Sequence, residues 1–74
     1  MSIKFLIFHD AEGREIPVRA DTIDMVVHRS SNVSERGSIL CLAGGKKEAV
    51  GETVDGVMQL LDSAGCIMIR AEDA

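Results

Sequence analysis

Residues 44–65 read GGKKEAVGETVDGVMQLLDSAG, and in them a two-glycine turn, an outgoing strand, a capped helix and a glycine stop follow one another directly. Thr53 is a favoured N-cap, because its hydroxyl accepts from a free amide of the first turn, and Asp55 sets a carboxylate near the positive end of the helix dipole. Val54, Val57, Met58 and Leu61 fall at i, i+3, i+4 and i+7, an apolar stripe on one side of the helix. Gly65 supplies the left-handed residue at which helices commonly stop. The spacing predicts a helix over 53–64, too short to persist alone and therefore docked on a sheet. Before it, residues 47–50 return from the glycine turn against 38–42 (SILCL), an apolar run of strand length.

Working back toward the start, residues 3–8 (IKFLIF) form a nearly continuous apolar run that reads as a first strand. Gly13 turns the chain, and 14–18 (REIPV) alternates as a half-buried return strand that Pro17, lacking a ladder donor, confines to an edge or a bulge. Residues 20–22 break the pattern, 23–29 (IDMVVHR) make a third strand, and 30–37 (SSNVSERG) make a polar loop. Beyond the helix, 66–70 (CIMIR) is again apolar and of strand length. The expected fold class is α+β: a small twisted antiparallel sheet of about five strands, or a partly closed barrel, with one C-terminal amphipathic helix and an extra terminal strand. Residues 1–70 read as one domain and 71–74 as a frayed acidic tail. Phe5, Ile7, Val18, Ile23, Val27, Leu40, Leu42, Val50, Val57 and Leu61 are expected to point inward.

The balance of 8 basic against 12 acidic residues, with net charge -4, weighs against a phosphate-backbone tracker. Phe5 and Phe8 are the only aromatics, so base stacking on single-stranded nucleic acid is disfavoured as well. No leader pattern opens the sequence and no apolar run approaches a membrane span, so the expected setting is cytoplasmic and off the membrane. A 74-residue chain buries a small fraction of its surface, and the usual aids are disulfides, a metal or self-association. With only Cys41 and Cys66 and two isolated histidines, a homo-oligomer is expected, with Ile67, Met68 and Ile69 as the apolar edge that would join copies.

Candidate chemistry is sparse. His9 and His28 lack ligand neighbours at metal-site spacing, and Cys41 and Cys66 have no CxxC context, so no metal site is assigned and both thiols are read as structural. Gly44-Gly45-Lys46-Lys47 departs from a phosphate loop, because a strand and not a helix follows it. The serines lack a readable His and Asp arrangement, and no carboxylate pair has the apolar flanks that raise a pKa toward the general-acid range. No catalytic residue and no cofactor are assigned, and the expectation is a protein that is not an enzyme. Arg29, Arg36, Lys46 and Lys47 are half of the 8 basic residues, and their concentration around one hairpin marks a candidate binding surface for a carboxylate or phosphate group.

The order of elements resembles the FlbD-type small flagellar and swarming-motility proteins and the similar short proteins of prophages. The residues that carry the resemblance are Ile3-Lys4-Phe5, Glu12 through Ile16, Ala20 through Ile23, Leu42 through Lys46, and Glu52 through Val57. It covers residues 3–64, and departs from the family in the longer 30–37 loop and in the CIMIR segment after the helix. The resemblance implies a small β-rich fold and a non-enzymatic accessory role through a protein partner, in a flagellar or phage-derived setting. Two alternatives stay open: a phage-encoded inhibitor of a host nucleic-acid or defence machine, and an oligomeric sponge holding a small anionic ligand such as a nucleotide at subunit boundaries.

Overall fold

A computed structural model describes residues 3–29 and 37–71. Five strands and one helix follow in order: β1 (Phe5–His9), β2 (Glu15–Arg19), β3 (Ile23–His28), β4 (Ser38–Leu42), β5 (Lys47–Val50) and α1 (Val54–Ser63). The fold is α+β, but its strands divide between two small antiparallel sheets, β1-β2 and β3-β4-β5, which do not close into a barrel. The division falls at Ala20–Thr22, a single 3-10 turn that carries the chain out of the first sheet and into the second.

The β1–β2 and β4–β5 hairpins are set by local chemistry. Asp10 organises the first turn: its Oδ1 accepts from the backbone amides of Glu12 and Arg14, both at 2.9 Å, and its Oδ2 accepts from Arg14 Nε at 2.9 Å. The amides also hold the Asp10 carboxyl below the ordinary carboxylate value, with the Arg14 backbone the largest cause. Ala43–Gly45 forms the second turn, and Leu42 N donates to Lys46 O at 2.7 Å to close it. Thr53 caps α1 as the sequence predicts, accepting from Gly56 N at 3.1 Å. At the other end Gly65 N donates to Asp62 O and Cys66 N to Leu61 O, both at 3.0 Å, a Schellman stop that reverses the chain.

The core is where the two sheets and the helix converge: Leu6, Phe8 and Val18 from the first sheet, Leu40 and Val50 from the second, Val57 and Leu61 from α1. Val18, Leu40, Val50, Val57 and Leu61 face inward as expected, with Ile23 and Leu42 half-buried beside them. Three expected core residues are corrected. Phe5 and Ile7 point outward, 56% and 41% exposed, and Leu6 and Phe8 take the inner face. The register explains it: Leu6 lies opposite Val18 and Phe8 opposite Ile16, so the buried return strand selects the even positions of an all-apolar run. Val27 is also outward, because an irregularity between Ile23 and Met25 shifts the alternation and brings Val26 inward opposite Leu40.

Residues 66–70 form no strand. Met68 packs against the core, while Ile67 and Ile69 on either side of it stand in solvent. Cys66 is exposed rather than a buried strand thiol, and Cys41 is half-buried in β4.

Candidate functional site

Among the described residues three sets of large apolar side chains face outward, one of them Met25 and Val27 on β3. Ile3, Phe5 and Ile7 share the outer side of the first strand by the two-residue period of extended backbone. Ile67 and Ile69, 86% and 88% exposed, project from the segment that follows α1. Among the described residues no backbone hydrogen bond reaches residues 67–70.

The start of this segment is held firmly. Lys4 Nζ donates to the Ala64 carbonyl at 2.6 Å, placing a cation on the negative end of α1, where no residue of the helix's own last turn is basic. Ile3, Lys4, Ala64 and Cys66 share the lining of a cavity of about 360 Å³, so the segment departs from beside the first strand. On its other side the segment and α1 enclose an open cleft of about 730 Å³, with Met58, Ile67 and Met68 as its apolar lining and Asp55, Asp62 and Arg70 as its charged lining. Polar and apolar groups share this lining about equally.

Of the basic residues singled out from the sequence, Arg29 is not brought together with Lys46 and Lys47. Arg29 N donates to Gly37 O at the His28–Ser38 end of the second sheet, whereas Lys46 and Lys47 lie at the Leu42 end, the length of β4 away. Arg36 lies outside the described residues. Arg29, Lys46 and Lys47 are exposed, so within one copy they offer separate charges and not a shared anion site.

His9 and Glu52 form a contact that sequence reading missed. Glu52 Oε1 accepts from the His9 backbone amide at 3.0 Å and Oε2 meets His9 Nδ1 at 2.7 Å, while Gly51 N donates to His9 O at 2.6 Å. Ser38, fully buried, donates from Oγ to Glu52 O at 2.7 Å. This cluster joins β1 to both β4 and the start of α1. A Cβ at position 51 would approach His9 O to 3.1 Å, so glycine there permits the close backbone crossing. The hydrogen bond to Glu52 raises the His9 pKa above its ordinary 6.5. Partial burial pushes the Glu52 carboxyl up, but the His9 side chain and amide outweigh it and hold it below 4.5.

Among the described residues no three His, Cys, Asp or Glu side chains are gathered as metal ligands, and no helix is long and apolar enough to cross a membrane. Comparison with protein-family models, with characterised proteins and with solved structures gives no match.

Proposed function

We propose that this chain is a small accessory protein that acts by protein–protein contact and without catalysis of its own, in a flagellar or phage-derived setting. One observation carries the reading: Ile67 and Ile69 stand in solvent on a segment whose backbone makes no backbone hydrogen bond among the described residues, following the Ala64 carbonyl that Lys4 holds. Paired apolar side chains on an open backbone are a template for another chain, which supplies the missing hydrogen bonds and covers the side chains. The outward Ile3, Phe5 and Ile7 extend the apolar surface available for contact. The resemblance to FlbD-type and prophage proteins supports the setting.

Affinity capture from a bacterial lysate tests this, with the wild-type chain beside Ile67→Lys/Ile69→Lys and Phe5→Glu/Ile7→Lys variants whose melting is followed by circular dichroism. The expected result is a stoichiometric protein partner on the wild type that is lost from at least the Ile67/Ile69 variant, with its thermal midpoint retained. Equal capture by all three proteins, or a co-purifying nucleotide with no protein, would overturn the reading.

A further inference from the structure

We propose that residues 66–70 pair antiparallel with the same residues of a second copy of this chain, about a two-fold axis at Met68. The inference rests on the contact reading and names its first partner. Met68 faces the core while Ile67 and Ile69 face solvent, the alternation of extended chain, and the backbone from 67 to 70 is unpaired among the described residues. Pairing about Met68 sets Ile67 opposite Ile69 of the second copy, and Ile69 opposite its Ile67, so the outward apolar side chains make two lateral contacts on one face. Such an isologous contact needs a surface that complements itself, and Ile-Met-Ile does so in this register.

Charge selects a second copy over an unrelated strand. Asp62 lies in the last turn of α1, where the helix dipole disfavours a carboxylate. Neither Asp62 nor Arg70 has an ion-pair partner among the described residues. Asp62 and Cys66 line the same cleft, and the antiparallel register puts Arg70 of the second copy opposite Cys66. That guanidinium enters the cleft beside Asp62, and by symmetry the pair forms twice. Each copy thus adds a second guanidinium to a cleft already lined by Asp55, Asp62 and its own Arg70, and balances the two carboxylates there.

Sedimentation equilibrium on the full chain, with Asp62→Arg, Arg70→Asp and the double exchange, tests the pairing while circular dichroism monitors folding. The wild type is expected at twice the 8.0 kDa chain mass. Each single reversal is expected to weaken the dimer by about tenfold or more, and the double exchange to restore it. A second measurement mixes Ile67→Cys and Ile69→Cys proteins, each carrying Cys66→Ser. A disulfide is expected on mixing and not within either protein alone, because only opposed positions bring Cα atoms within about 7 Å.

A monomeric wild type, single reversals that dimerise as the wild type does, a double exchange that fails to recover, or cross-linking within one variant alone would each overturn the proposal. A monomer that still retains a different protein through Ile67 and Ile69 overturns the pairing and leaves the contact reading standing. A dimer that passes the charge exchange but captures nothing else upholds the pairing and removes only the accessory role.

Discussion

His9 and Glu52 each serve through backbone and side chain at once, so their titration bears on the joint between the two sheets. Because the His9 pKa is raised, its contribution is complete below 6.5 and is lost as pH rises through the folded value. Because the Glu52 pKa is lowered, its contribution is complete above 4.5 and is lost as pH falls through the folded value. The midpoint difference between wild type and Glu52→Gln should therefore be widest between 4.5 and 6.5 and narrower at about pH 9, read by thermal melts across that range. A constant difference would contradict it. Gly37 offers a second test at this scale: its φ is +130, and an added Cβ would stand 2.6 Å from Val50 O. Gly37→Ala is expected to cost roughly 1–3 kcal/mol by urea denaturation. Neither feature was legible in the sequence, since His9 and Glu52 are 43 positions apart and no spacing rule links them. Thr53 was legible because an N-cap acts within its own turn.

At the scale of elements, β4, β5 and α1 follow their sequence signals closely, because turn residues, cap and apolar stripe agree with one another. β1 shows the opposite case. A run apolar at nearly every position announces a strand but carries no alternation to say which side is inward, and only pairing with β2 decides. Phe8→Ala is accordingly expected to cost about 3–5 kcal/mol, and Phe5→Ala within about 0.5 kcal/mol, when both are measured by chemical denaturation. Comparable losses at the two sites would reverse the assignment of faces. Thr53→Ala should cost about 1 kcal/mol by the same measurement, the ordinary worth of such a cap. The basic residues illustrate a different limit: Arg29 and Lys46 flank the same strand in sequence, yet a strand separates its two ends as surely as a wall.

Across the whole molecule, strands and helix were readable one by one, but their partition into two sheets was not. A three-residue break such as Ala20–Thr22 serves equally as a hairpin turn or as a step between sheets, and its conformation follows from what packs on either side. The resulting core draws on both sheets and on the helix. A chain ending after Gly51 therefore loses Val57 and Leu61, and is expected to show no cooperative melting transition; a sharp transition in that truncation would mean that the sheets suffice without the helix. The clasp between Lys4 and Ala64, 60 positions apart, has a consequence in time. During synthesis the first hairpin leaves the ribosome with Leu6, Phe8 and Val18 bare, and a lone hairpin is marginal in water. Its cover, α1, is made only after β3, β4 and β5. The nascent chain must thus wait, its future interior in solvent, until the helix arrives to close it.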